Sequence, residues 1–239
     1  MYINIVIIIS LIQFSNNMRV IQVEGNIAAG KTTFINFVKK YIENTANQLS
    51  KKKIVFIDEP LSQWMEQSLF QKYYTDPEKY AETFQSFAFL TILRKSMLYT
   101  VDPSTDIVIT ERSLFSSLSV FTKHLLNRNL VSKTYYDMLQ NSYYLWEDII
   151  LQPDIIIYFQ IDNNDISILQ ERIRNRQRET ENNISLQYLL DLNNVYDNFI
   201  DSSKYQKAIR YNIPIKLSKQ KQEKDYFIPY LNEISDMVT

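Results

Sequence analysis

Residues 25 to 32 read GNIAAGKT, a match to the pattern G-x-x-x-x-G-K-[ST]. Glycine lets successive backbone N–H groups turn inward and approach phosphate oxygens that a side chain would keep at a distance. In such a loop Lys31 reaches the β- and γ-phosphates and Thr32 offers a hydroxyl to Mg²⁺. The N-terminus of the helix that follows adds partial positive charge. Gly25, Asn26, Ile27, Ala28, Ala29, Gly30, Lys31, Thr32 and Thr33 are therefore the expected cradle of a nucleoside triphosphate. The chain has 239 residues and only two glycines, both in this loop, where average usage of ~7% would give roughly 17. The loop by itself does not separate a GTPase, an ATPase motor and a small-molecule kinase.

Three further clusters narrow the chemistry. In IVFIDEPLSQW, Asp58 and Glu59 stand just past an apolar run, with Pro60 ending it and Trp64 a short step on. A carboxylate there can accept the proton of an attacking hydroxyl, and the indole can wall an organic substrate. The same residues also suit a solvated cap and a core tryptophan. In IVITERSLFSS, Glu111 and Arg112 can divide the work, one holding Mg²⁺ and the other fixing a substrate oxygen. In QERIRNRQRETE, Arg172 and Arg176 share a helical face, with Arg174, Arg178, Glu179 and Glu181 close by. Such a run is commonly a solvated basic face; in a phosphate-binding protein it suits a lid that neutralises a transferring phosphoryl group.

These residues need a scaffold that brings distant segments to one edge. RVIQVE, IVFID, DIVIT, DIIIYFQI and IPIKL read as buried parallel-type strands. Between them Lys31 to Glu43, Pro77 to Tyr99, Ser113 to Leu126, Lys133 to Ile150, Asp165 to Arg176 and Leu186 to Ile200 read as helices. The alternation predicts an α/β fold with a doubly wound, parallel, five-stranded sheet flanked by helices. Ligands of such sheets gather at the carboxyl ends of the strands, where the clusters above fall.

Composition removes other classes. A net charge of −1 gives no electrostatic reason to bind nucleic acid or an acidic membrane. No cysteine and a single histidine, His124, exclude disulfides, thiol nucleophiles, Cys-ligated zinc and His-centred triads. Catalysis must use carboxylates, Lys, Arg and hydroxyls. The apolar run from Ile3 to Phe14 is short for a membrane span and lacks the flanks of a signal peptide. Residues 1–17 are therefore expected to be an extension, with Met18 opening a single domain over 18–239. The sequon Asn183-Ile184-Ser185 lies beside the arginine run, where a glycan would obstruct it. A cytoplasmic protein is expected, with an organelle as the other option.

Taken in order, EGNIAAGKTTF, DEPLSQW, PEKYAETFQSFAFLTILR, ERSLF and RIRNRQRETENNISLQYL resemble the deoxynucleoside kinase family, which contains deoxycytidine, deoxyguanosine and mitochondrial-type thymidine kinases. The resemblance runs from about Met18 to Ile200 and fades beyond it; KLSKQKQEKDYF offers no clear counterpart of the family's donor-base sensor. It implies a P-loop kinase with an arginine-rich lid over about 172–182 that moves the γ-phosphoryl of ATP, with Mg²⁺, to the 5′-OH of a deoxynucleoside in salvage. Glu59 then corresponds to the general base, and Arg112 to the arginine on that hydroxyl. Glu111 joins Thr32 at Mg²⁺, and Tyr74 and Glu181 grip the 3′-OH. Gln85 corresponds to the reader of the base edge, with Ile27, Trp64, Phe84 and Phe121 around the ring. Arg172, Arg176 and Arg178 correspond to the lid arginines.

Members of the family that prefer deoxycytidine and purines carry an Arg and an Asp where this chain has Ile92 and Ser117. That departure implies a more apolar pocket floor that leans toward thymidine and deoxycytidine, although Ala88 leaves room for a purine. Family members pair, which implies a homodimer through helices matching Ser113 to Leu126 and Lys133 to Ile150; their many aromatics agree with it. A thymidylate-type monophosphate kinase is the main alternative. It fits less well, because such enzymes need basic groups for an acceptor phosphate where this chain offers Glu59. A non-catalytic relative, also known in the family, is the other.

Overall fold

A computed structural model of the chain describes residues 18–44, 51–99, 104–181, 183–201, 208–212, 227–228 and 231. Its centre is a parallel sheet of β1 (Arg19–Gly25), β2 (Ile54–Ile57), β3 (Ile107–Glu111) and β4 (Ile155–Gln160), in the order β2-β3-β1-β4. A segment at Ala208–Asn212, β5, pairs parallel with the outer edge of β4. The strand anticipated at IPIKL, 213–217, lies outside the described residues. β1, β3 and β4 are buried almost throughout because helices cover both faces, which is why their sequences run apolar without alternating.

The helices are α1 (Lys31–Asn44), α2 (Leu61–Glu66), α3 (Leu69–Thr75), α4 (Pro77–Tyr99), α5, α6 (Lys133–Trp146), α7 (Ser167–Asn175) and α8 (Leu186–Ile200). The fifth changes pitch along its length: α-helical at Leu114–Ser116, π-helical at Ser117–Thr122 and α-helical again at Lys123–Asn127. Ser113 opens it with a capping box closed by Ser116. Proline at the first position of α4 and Glu78 in its first turn explain why this helix starts where it does. Two helices, α2 and α3, were not anticipated.

Two large apolar cores result, beside a small cluster of Val20, Ile57, Val108 and Leu151. One packs α1, α7 and α8 against the sheet, with Phe227 and Leu231 from the C-terminal region buried in it. The other joins α2 to α6 and contains Trp64, Phe84, Leu118 and Tyr143. Its demand for large side chains changes the reading of the aromatic-rich helices. Tyr135, Tyr136 and Tyr143 are buried, as are Leu114, Leu118 and Leu125 of α5, so these side chains serve the interior. Besides Met65 on α2 and Leu186 on α8, the large apolar side chains exposed among the described residues are Leu90 and Leu98 on α4 with Met138, Tyr144 and Leu145 on α6. Helices α4 and α6 pack together where the Tyr135 hydroxyl meets Ser86 Oγ at 2.8 Å and donates to Glu82 O at 2.6 Å.

Candidate active site

The register pairs Val23 with Glu111, so the loop after β1 and the Glu111–Arg112 dipeptide after β3 emerge side by side. Gly25 pairs with Phe159 of β4, and a Cβ on Gly25 would stand 3.0 Å from both Phe159 Cβ and Phe159 O. Its φ of +143° adds strain for any other residue. Gly30 has φ +110° but only the Phe159 ring at 3.8 Å as its nearest neighbour, so conformation alone explains it. Ala28 turns with φ 62°, which helps aim the loop amides inward. Asn26 ties the loop to α8 by donating to Leu189 O at 2.8 Å.

Lys31 is buried and folds back to donate to Asn26 O at 2.9 Å, with Glu111 Oε1 at 3.9 Å. Burial, reinforced by Arg112, pulls its ammonium down to about 7, against the opposing pull of Glu111 and Glu59. An anion in the loop would restore its charge. The Thr32 hydroxyl lies 2.9 and 3.1 Å from the two Glu111 oxygens, a pair of hard oxygen ligands at one point. Among the described residues no group of three or more His, Cys, Asp or Glu could hold a metal. The Thr32–Glu111 pair alone supplies too few ligands to cage a cation and would fit a hard divalent cation such as Mg²⁺ only with further oxygen ligands from elsewhere.

Arg112 organises the opposite wall. Its backbone sits at φ 63°, its Nη1 donates to Glu59 Oε1 at 2.6 Å, its Nε donates to the Tyr196 hydroxyl at 3.2 Å, and its guanidinium lies 4.7 Å from the Phe121 ring centre. Burial opposes its charge, but Glu59, Tyr196 and Glu111 more than offset this and hold the guanidinium well above its ordinary range. Tyr196 in turn donates to Glu24 Oε2 at 3.5 Å, and Ser113 Oγ donates to Glu24 Oε1 at 3.2 Å. Burial pushes the Glu24 carboxyl up to about 7, against the pull of Arg112 and its hydroxyl partners. Asp58 does not share this wall: its carboxylate is half exposed and held by Lys39 Nζ at 3.0 Å.

A cavity of about 790 Å³ opens between these walls, where the two cores meet. At one end stand Ile27, Ala28, Lys31, Thr32, Glu111, Arg176 and Arg178; Glu59 and Arg112 flank the middle. The far end is lined by Trp64, Phe84, Gln85, Ala88, Ile92, Ser117 and Phe121. Phe84, Gln85, Ala88 and Ile92 belong to one stripe of α4, and the Trp64 indole is fixed by donating to Thr91 Oγ1 at 2.9 Å. Tyr74 and Glu181 form a polar corner. Burial first, then Tyr188 and Glu181, holds the Tyr74 hydroxyl well above its usual range, so it stays a donor. Glu181 accepts from Arg178 Nη1 at 3.0 Å, while its buried Oε2 has no hydrogen-bond partner among the described residues. Arg176 Nη1 stands 3.9 Å from that oxygen, beyond hydrogen-bond reach, so the acceptor could take a donor such as a hydroxyl.

Most residues singled out in the sequence are thus brought together. Arg172 lies outside the cavity lining and donates from Nη1 to Ala28 O and Ala29 O of the loop after β1, at 3.4 and 3.3 Å. Thr33 is exposed on α1. The sequence reading missed Leu61, Phe70, Tyr73 and Tyr188, which complete the lining. The spacing of Phe70, Tyr73 and Tyr74 at i, i+3 and i+4 is the signal that could have found the first helix-borne set.

The sequence matches the deoxynucleoside kinase family over residues 21–236. It is 32% identical to a protein of Fowlpox virus (strain NVSL) named as a probable deoxycytidine kinase, over 77% of this chain and 72% of that one. It is 27% identical to the deoxycytidine kinase of Homo sapiens, over 75% and 74%, and 25% identical to the mitochondrial deoxyguanosine kinase of Xenopus laevis, over 82% and 79%. With a parallel α/β sheet, a glycine-lysine-threonine loop and a match that spans nearly the whole chain, this protein belongs to the deoxynucleoside kinase family of phosphotransferases.

Proposed function

We propose that this protein transfers the γ-phosphoryl of ATP to the 5′-OH of a deoxynucleoside, with thymidine and deoxycytidine as its better substrates. The observation that carries the reading is the 2.6 Å Glu59–Arg112 pair, set midway between a phosphate loop and an aromatic chamber. Glu59 takes the proton of the 5′-OH, and Arg112 holds both the carboxylate and the hydroxyl in line. Lys31 and the loop amides bind the triphosphate, and Thr32 with Glu111 holds Mg²⁺, which when bound neutralises charge on the phosphates. Arg172, Arg176 and Arg178 form the lid, within one kinase domain over 18–239. Tyr74 and Glu181 bind the 3′-OH. Gln85 reads the base edge between Trp64, Phe84 and Phe121, and Ala88, Ile92 and Ser117 shape the floor.

Among the cationic groups of the cavity, Lys31, Arg176 and Arg178 stand at its phosphate-loop end and Arg112 at its middle. The far end offers none for an acceptor phosphate, which counts against a monophosphate kinase. A homodimer is part of the proposal; the outward apolar side chains support α4 and α6 as its surface, in place of the Ser113–Leu126 helix expected with Lys133–Ile150, whose Leu114, Leu118 and Leu125 are buried. No described helix is long and apolar enough to cross a membrane, and a cytoplasmic setting is part of the proposal. The purified protein should be assayed with Mg-ATP against the four deoxynucleosides and their monophosphates. Phosphorylation of deoxynucleosides alone supports the reading; turnover of monophosphates alone, or of neither, refutes it.

A further inference from the structure

The π-helical turn of α5 brings a hydroxyl against Gln85, a residue that lines the cavity. Thr122 is its last residue, and Thr122 Oγ1 lies 3.0 Å from Ser117 O, five residues back, and 3.3 Å from Gln85 Oε1 on α4. All three residues are buried, with Thr122 1% and Gln85 3% exposed. A hydroxyl has one proton and cannot satisfy two acceptors at once. With the amide oxygen of Gln85 facing Thr122, one of the two carbonyls is left short. With the amide turned over, Nε2 donates to Thr122 Oγ1 and Thr122 gives its proton to Ser117 O, so both contacts of the hydroxyl are complementary. In a buried site that difference is not levelled by water.

We propose that Thr122 is a specificity-determining positioning residue, whose hydroxyl sets which way the Gln85 amide faces and so which pyrimidine edge the site accepts. The inference rests on Gln85 reading the base, as proposed above. Cytosine presents an N4–H donor beside the N3 acceptor, whereas thymine presents the O4 acceptor beside an N3–H donor. A primary amide meets either edge in a bidentate pair, but in opposite orientations. A freely turning glutamine therefore accepts both bases alike, and one anchored through Thr122 favours one of them. Anchoring does not cost the pair, because the N–H that reaches Thr122 is the one pointing away from the amide oxygen. The other N–H and the oxygen remain for the base.

The test is the ratio of kcat/KM for thymidine and deoxycytidine in the natural protein, Thr122→Val and Thr122→Ser. Valine keeps the shape of threonine and removes the hydroxyl; serine restores the hydroxyl. The expected natural ratio departs from unity by about tenfold or more, Thr122→Val brings it to within about threefold, and Thr122→Ser keeps it at the natural value. A natural ratio within about threefold of unity, an unchanged ratio in Thr122→Val, or a Thr122→Ser variant that behaves like valine overturns the proposal. If no nucleoside is turned over by the natural protein, the kinase reading fails separately. The same ratios read as dissociation constants by calorimetry then still decide the role of Thr122.

Discussion

Replacing Glu59 by glutamine removes a base while keeping the outline of the side chain. The pair it forms with Arg112 is short, at 2.6 Å, and nearly dry, with side chains 11% and 7% exposed. General bases contribute about 10²–10⁴-fold, so turnover should fall by that factor, equivalent to about 2.7–5.4 kcal/mol in the barrier. Stability should fall less. Leaving a buried charge with no partner costs roughly 3–5 kcal/mol, but the amide oxygen of Gln still accepts from Arg112, and Glu111 and Glu24 remain close enough to act on the guanidinium. A loss of about 1–3 kcal/mol is expected. The assay is single-turnover phosphoryl transfer at saturating nucleoside and Mg-ATP, with nucleotide affinity and denaturant unfolding measured on the same sample. Asp58→Asn is the control, because the Asp58 carboxylate is 56% exposed and engaged by Lys39; its turnover should stay within about twofold. A Glu59→Gln protein that is folded and turns over within about threefold of the natural rate would refute the reasoning, and so would an Asp58→Asn protein that loses activity in its place.

Gly25→Ala should cost more stability than Gly30→Ala by about 1–3 kcal/mol in denaturant unfolding, since only the former drives a Cβ into Phe159 backbone and side chain; equal losses would count against the close approach as the reason. His124 is buried among Tyr188, Arg128 and Asp191 and is pulled down to about 4 by burial, with Arg128 reinforcing and Asp191 opposing. Its neutral form is the folded form, so its contribution is intact above the unfolded value near 6.5 and declines as pH falls from there toward 4. The decline amounts to on the order of 3 kcal/mol, and His124→Phe should flatten that limb of the stability profile. Thymidine and deoxycytidine should exceed deoxyadenosine and deoxyguanosine in kcat/KM, and Ile92→Arg with Ser117→Asp should shift preference toward deoxycytidine and purines. A natural preference for a purine by tenfold, ~1.4 kcal/mol, would end that idea.

Much of the scaffold could be read from short-range pattern. The loop at 25–32 needs only its own residues and the strand and helix around it, because its conformation is set by two glycines and the start of a helix. Helices at Pro77–Tyr99 and Leu186–Ile200 were legible at both ends, since proline or a serine cap opens each and the apolar spacing persists for several turns. That the clusters after β1, β2 and β3 meet also follows from the sequence, because a parallel sheet sends all its strand ends to one edge. The tertiary structure decided the rest. Short helices such as Leu61–Glu66 and Leu69–Thr75 carry too few turns for a period to show, and tertiary packing makes them. The π-helical pitch of Ser117–Thr122 is invisible in a residue string, and with it the link from Thr122 to Gln85. Adjacent Asp58 and Glu59 are alike as letters. Lys39 draws one outward and Arg112 draws the other into the cavity, and those partners are 19 and 53 residues away in the chain. Spacing along a helix or strand is a local property that a sequence displays directly. Which carboxylate meets which cation depends on contacts between distant segments, and only the folded chain determines it.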